Sequence, residues 1–223
     1  MSDIRMILNA EYFDDLLCRV WERTRFPRSD PKHISVTEVT QCLLYSYMAR
    51  VEPRCVPQVV SLLLGVQGHR IMAEALEFHG WLVEKLVCVE RDGVKLCGRV
   101  DAYHPDLDVV AEFKFVNTVP EEPYEDHVKQ IRIYMAMLGA RHGIIVYFSR
   151  DPRNRTKVFF VAPRRRALDE AIERAKTLSR ALEEMKPPRP EPGRWCRFCP
   201  YAFECHQIRG KNRKKTARLP VQR

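Results

Sequence analysis

The run DVVAEFKFV, residues 108–116, sets Glu112 and Lys114 inside an otherwise apolar stretch. Residues i and i+2 of a strand share a face, so the carboxylate and the ammonium point one way and Phe113 and Phe115 the other. A little earlier, G-R-V-D places Asp101 just after Gly98, a residue that allows close backbone approach. If the flanking strands form a hairpin centred between Asp106 and Leu107, Asp101 stands opposite Glu112. Paired carboxylates are hard oxygen ligands suited to Mg²⁺ or Mn²⁺ near a phosphate. A lysine beside them can orient or help deprotonate an attacking water and offset charge in the transition state. The plainer reading is a cross-strand salt bridge between Lys114 and Asp101 or Glu112. His69, ahead of the strands, supplies another metal-ligand type, and Gln130 and Tyr134, one helical turn apart, supply a polar face behind them.

The elements that must position these residues follow from pattern and punctuation. Ser35-Val-Thr-Glu38 is a capping box and predicts a helix over about Val36–Arg50 that carries Cys42. After Pro53 and Pro57 a second helix, roughly Gln58–Phe78, carries Gly68, His69 and Glu74. Three strand-like runs follow at 81–90, 93–103 and 108–116, turned at Asp92-Gly93 and at His104-Pro105-Asp106. A helix over 125–138 leads to strands at 143–149 and 156–162, joined through Asp151-Pro152-Arg153-Asn154. The next segment carries Leu168, Ile172, Ala175, Leu178, Leu182 and Met185 on one stripe, the mark of an amphipathic helix. This order predicts an α/β layer with a mixed sheet.

The chain has 223 residues and a net charge of +9. Seven of its basic residues fall after Ile208, where no acid occurs, so the part before carries only +2. A basic tail suits a polyanion such as nucleic acid, or is simply solvated. The first twenty residues hold no long apolar run and include Asp3, Glu11, Asp14 and Asp15. We therefore expect no signal peptide, no membrane partner and a cytoplasmic location. Nothing reads G-x-x-x-x-G-K-[ST], so no nucleoside triphosphate site is expected. Few Asn and Gln beside many charges is a composition shared with thermophile proteins.

Eight cysteines in such a chain are expected to serve as metal ligands more than as disulfides. Cys196, Cys199 and Cys205 form C-x2-C-x5-C, one ligand short of a tetrahedral site. His206 would complete a zinc site, whereas a remote cysteine would favour an iron–sulfur cluster. Cys42, Cys18 and Cys55 are the remote candidates.

Gly68-His69, Gly98-x-x-Asp101, Glu112-x-Lys114 and Gln130-x-x-x-Tyr134, in that order, resemble the PD-(D/E)xK nuclease superfamily in its RecB-like branch. The resemblance spans residues about 60–150 and implies a restriction-endonuclease-like core, a mixed sheet flanked by helices. It implies that His69, Asp101, Glu112 and the Phe113 carbonyl bind the metal, that Lys114 is the catalytic lysine, and that Gln130 and Tyr134 position the lysine or DNA. In RecB-like nucleases with an iron–sulfur cluster, one cysteine precedes the core and three follow it. Cys42 with Cys196, Cys199 and Cys205 is similar to that split, which implies a cluster, 4Fe–4S or 2Fe–2S, bound by a segment formed from both chain ends. The chain as a whole resembles the CRISPR-associated RecB-like exonucleases, the fourth Cas family. That implies a metal-dependent exonuclease acting on single-stranded DNA ends, trimming fragments for insertion into a CRISPR array alongside CRISPR integrase proteins. The alternative is a non-catalytic scaffold that only holds DNA ends. The expected organisation is a helical segment at 1–55 with one cluster cysteine, the nuclease core at 56–162, an amphipathic helix at 163–186, a Pro-rich linker and cysteine cluster at 187–208, and a basic tail at 209–223.

Overall fold

The computed structural model describes residues 10–24, 29–56, 59–151, 153 and 155–208. The basic tail, Pro57, Gln58, Pro152 and Asn154 lie outside the described residues. The chain runs through α1 (Ala10–Thr24), β1 (His33–Ser35), α2 (Val36–Thr40), α3 (Leu43–Val51), α4 (Val59–Leu76), β2 (Leu82–Arg91), β3 (Val94–His104), β4 (Val109–Val116), α5 (Glu125–Leu138), β5 (His142–Ser149), β6 (Lys157–Val161) and α6 (Ala167–Glu183). Single 3₁₀ turns follow α4, at Glu77–His79, and α6, at Arg194–Phe198. Among the described residues no helix is long and apolar enough to cross a membrane.

The sheet is mixed, as the element order requires. β4 and β5 are parallel across the α5 crossover, and β5 and β6 are antiparallel. β2 and β3 form a long antiparallel hairpin whose turn has Asp92 at φ 52° and Gly93 at φ 78°. Two positive φ values make the two-residue turn that matches strand twist. The other edge of β3 is shared: β1 pairs in parallel with residues 95–97, and β4 pairs antiparallel with residues 102–104. The sheet therefore forks between Gly98 and Asp101. The β3–β4 register joins Ala102 to Ala111, Tyr103 to Val110 and His104 to Val109, so the next step inward sets Asp101 against Glu112.

One face of the sheet packs on α2, α3, α5 and α6 through Ile34, Leu44, Leu96, Val100, Ile131, Tyr134, Ile172 and Leu178. The other packs on α4 through Ala102, Ala111, Phe113 and Val146, with Met72, Leu76 and Phe115 around them. Gly68 leaves room on α4 for the Phe115 ring, which a Cβ there would meet at 2.6 Å. Along β3 the facing changes phase: Leu96 and Val100 lie in the first core and Ala102 in the second. β2 changes at the same place, with Val87 against the first core and Val83 against the second. Between those positions Glu84 has a left-handed φ of 51°, a conformation uncommon outside glycine.

Two expectations are corrected. The helix expected over Val36–Arg50 is two helices: Gln41 is extended and Cys42 stands at the N-cap of α3 rather than inside a helix. The break is held by Glu191, whose Oε2 accepts the Leu43 N–H at 2.8 Å. The cysteines are also not all available as ligands. Cys18 pairs with Cys55, and Cys88 with its cross-strand neighbour Cys97.

Candidate active site at the fork of the sheet

Asp101 sits where β3 loses β1 and gains β4. Its carboxylate serves two sides of the sheet. Oδ2 accepts the Phe113 N–H at 2.8 Å, and Oδ1 lies 3.2 Å from His69 Nδ1 on α4. Burial pulls the pKa of His69 down, but the bond to Asp101 and the charges of Asp101 and Glu112 together outweigh it, and the imidazole is held above its ordinary value.

Glu112 and Lys114 face α5, while Phe113 packs on the α4 side. Lys114 Nζ donates to Glu112 Oε1 at 2.7 Å and to Gln130 Oε1 at 3.1 Å. Glu112 is 1% exposed, and its Oε2 has no hydrogen-bond partner. Burial, together with the charge of Asp101, pushes Glu112 up to about 7. Burial works against the Lys114 ammonium, yet Glu112 and Asp101 hold its pKa above the ordinary value. Tyr134 fills the fork. A Cβ on Gly98 would run into the Tyr134 ring and meet Val36 Cγ2 at 2.8 Å. The Tyr134 hydroxyl is held by Gln130 and by the backbone at Arg99, and burial raises its pKa.

The structure thus brings His69, Asp101, Glu112, Phe113, Lys114, Gln130 and Tyr134 together. The salt bridge expected on the plainer reading is present, but it consumes only one Glu112 oxygen. A buried carboxylate oxygen left without a protein donor, beside a second carboxylate and an imidazole, fits a divalent cation that takes oxygen and nitrogen ligands.

Sequence reasoning missed Glu84. His69, Glu84 and Asp101 each offer a ligand atom, and these atoms lie within 4.8 Å of one another. The signal was present. The two-residue turn at Asp92-Gly93 pairs Arg91 with Val94 and, counted back along both strands, sets Glu84 opposite Asp101.

The four free cysteines are Cys42, Cys196, Cys199 and Cys205. Burial raises the Cys199 thiol, and charge on Cys42, Cys196 and Cys205 would raise it further, so the four share one neighbourhood. Backbone N–H groups already point at three of the sulfurs: Glu191 donates to Cys42 at 3.4 Å, Gly193 to Cys196 at 3.2 Å, and Tyr201 to Cys199. Arg174 grips Glu191 at 2.6 and 2.8 Å and also donates to the carbonyls of Val39 and Gln41. His206 is exposed. No three of these sulfurs crowd within 4.8 Å among the described residues. A single zinc with Zn–S bonds near 2.3 Å would need them closer.

The cysteine segment also touches the helix that carries Gln130. Arg194 donates to both Asp126 oxygens at 2.9 Å and stacks on the Tyr124 ring at 3.4 Å, and Trp195 Nε1 donates to Asp126 at 3.1 Å. Next to Asp126, His127 is bonded to the Tyr147 hydroxyl at 2.8 Å. Burial, with the charge of Lys114, pushes His127 down to about 3.

Comparison with known proteins agrees with this geometry. The chain matches no curated protein sequence. Among solved structures it is similar to the crystal structure of SSO0001, with a TM-score of 0.65 and 23% identity over 86% of this chain and 96% of that one. It is also similar to a candidate exonuclease from Eubacterium rectale, with a TM-score of 0.55 and 10% identity over 91% and 94% of the two chains. Residues 6–206 match the family model of the PD-(D/E)XK nuclease superfamily. With its carboxylates, lysine and glutamine gathered at the fork, the chain belongs to that superfamily.

Proposed function

We propose that this protein is a metal-dependent exonuclease that hydrolyses single-stranded DNA from its ends and trims fragments for insertion into a CRISPR array, working beside CRISPR integrase proteins. The observation that carries the nuclease reading is buried Glu112 with its Oε2 unpartnered, set beside half-buried Asp101 and Lys114. Its exonuclease character is supported by the candidate exonuclease that shares the fold. The CRISPR assignment rests on the resemblance in the split cysteine set.

Asp101, Glu112, His69 and the Phe113 carbonyl are the proposed ligands of Mn²⁺ or Mg²⁺. When bound, such an ion supplies a nucleophilic hydroxide at neutral pH and charge stabilisation at the phosphate. Lys114, held by Glu112 Oε1 and Gln130 Oε1, orients the attacking water and opposes the charge that builds on the phosphate oxygens. Gln130 fixes the lysine, and Tyr134 fixes Gln130. Cys42, Cys196, Cys199 and Cys205 are the proposed ligands of an iron–sulfur cluster, 4Fe–4S in preference to 2Fe–2S, since four cysteines hold such clusters.

The test is to incubate anaerobically purified protein with single-stranded DNA labelled at either end, in Mn²⁺, Mg²⁺ or EDTA. Metal-dependent shortening is expected, and the label lost first gives the direction. Tight binding without cleavage under every metal would replace the enzyme with a scaffold for DNA ends.

A further inference from the structure

Trp195 is 50% exposed and Phe198 37% exposed, in a segment where basic and aromatic residues alternate as Arg194-Trp195-Cys196-Arg197-Phe198. Exposed rings grouped with arginines are the composition of a contact surface. The two rings lie side by side, with centroids 6.4 Å apart. Each carries a guanidinium: Arg194 over Trp195 at 4.4 Å and Arg197 over Phe198 at 4.6 Å. Trp195 is also fixed in place. Its Nε1 donates to Asp126, and Arg194, which backs the ring, grips both oxygens of the same carboxylate. A ring held on one face by a cation and at its edge by a carboxylate offers its other face already oriented, so little ordering is left to a ligand. Its place on the molecule points to the site. Asp126, Gln130 and Tyr134 follow one another at one-turn intervals on α5, about 6 Å apart. Gln130 holds Lys114, so Trp195 is anchored one turn from the anchor of the lysine. The charge of Asp126 reaches Lys114 and helps to hold its pKa up.

We propose that Trp195 and Phe198 form a stacking platform for the bases of single-stranded DNA beside the cleaved phosphate, and that this platform makes the site prefer a single strand to a duplex. This rests on the reading of the fork as a nuclease centre that takes single-stranded DNA. Base faces are open in a single strand and covered by their neighbours in a duplex. Aromatic rings take successive open bases with little regard to sequence. Arg197, exposed beside them, brings positive charge for the backbone phosphates. The rings thus hold the strand by its bases while the fork acts on its phosphate.

The test is binding of the intact holoprotein to labelled oligo(dT), to the same strand carrying abasic sites, and to a duplex, read by fluorescence anisotropy in Ca²⁺ with strand integrity checked on gels. Trp195→Ala is expected to weaken oligo(dT) binding about 10-fold or more, and binding to the abasic strand and the duplex by less than about 2-fold. Trp195→Phe keeps a ring but loses the Nε1 bond to Asp126, and should stay within about 3-fold of the parent on oligo(dT). Equal weakening of all three ligands by Trp195→Ala makes Trp195 a structural support and overturns the platform. So does a Trp195→Phe variant as weak as Trp195→Ala, because the bond and not the ring would then carry the effect. If Trp195→Ala and Phe198→Ala both bind oligo(dT) as the parent does, the platform is overturned, the rings are left to a protein partner, and the nuclease reading stands. A parent that binds no single strand overturns both.

Discussion

At the scale of single residues, the site depends on what each polar atom still has to give. Lys114 has two acceptors and Glu112 has one donor for two oxygens. Lys114→Ala should cut cleavage roughly 10²–10³-fold while leaving DNA affinity and cluster colour intact. Single-turnover kinetics and a binding titration check this together. Gly98→Ala should act differently. Its Cβ meets the Tyr134 ring and Val36, so the variant should lose about 1–3 kcal/mol to overpacking and melt roughly 3–10 °C lower. Glu38 gives a pH prediction. Burial raises its pKa, but Arg50, bound at 2.6 and 2.9 Å, and the Ser35 bonds lower it further. A depressed folded pKa gives stability that is present above the ordinary 4.5 and lost as pH falls through the folded value. Glu38→Gln should therefore cost on the order of 3 kcal/mol at neutral pH and flatten the acid limb of the stability curve measured by urea melts.

At the scale of elements, some of this fold was legible in the sequence and some was not. α5 has the bounds its charges and glycine imply: Glu125 and Asp126 open it, and Gly139 closes it at φ 70°. The Asp92-Gly93 turn encodes the register that sets Cys88 on Cys97 and Glu84 on Asp101. β1 was missed because three residues carry no periodicity; its strand state comes from pairing with residues 95–97. The break before α3 was hidden for a similar reason. Leu43–Val51 continues a helical pattern, and the group that interrupts it, Glu191, lies 148 residues away. The phase change at Glu84 and Asp101 was unreadable too, because it arises from one strand exchanging partners. The element-level prediction concerns the tether between α1 and the loop after α3. Replacing Cys18 and Cys55 by serine should lower stability by about 2–4 kcal/mol by denaturant melts and leave the visible absorption unchanged. Cys42→Ser should bleach it.

At the scale of the whole molecule, α3 and the loop after it meet the cysteine segment at 191–205. Besides the four free thiols, Arg54 holds the Pro200 carbonyl at 2.9 Å and Glu204 at 2.6 Å, and the Tyr201 hydroxyl donates to the Glu52 carbonyl at 2.9 Å. Arg194 and Trp195 reach Asp126 at the head of α5. Glu191→Ala removes the acceptor shared by Leu43 and Arg174, so it should lower the iron content of purified protein without altering the disulfides, as measured by metal analysis and thiol counting.

This meeting of an early and a late segment also orders events during synthesis. Cys205 leaves the ribosome 163 residues after Cys42, a delay of roughly 10–30 s at common translation speeds. Once Val161 has been made, the fork, α5 and every strand of the sheet are present, while the proposed partners of Cys42 do not yet exist. The residues of the sheet are therefore complete before residues 191–205 can dock on the Cys42 end of α3.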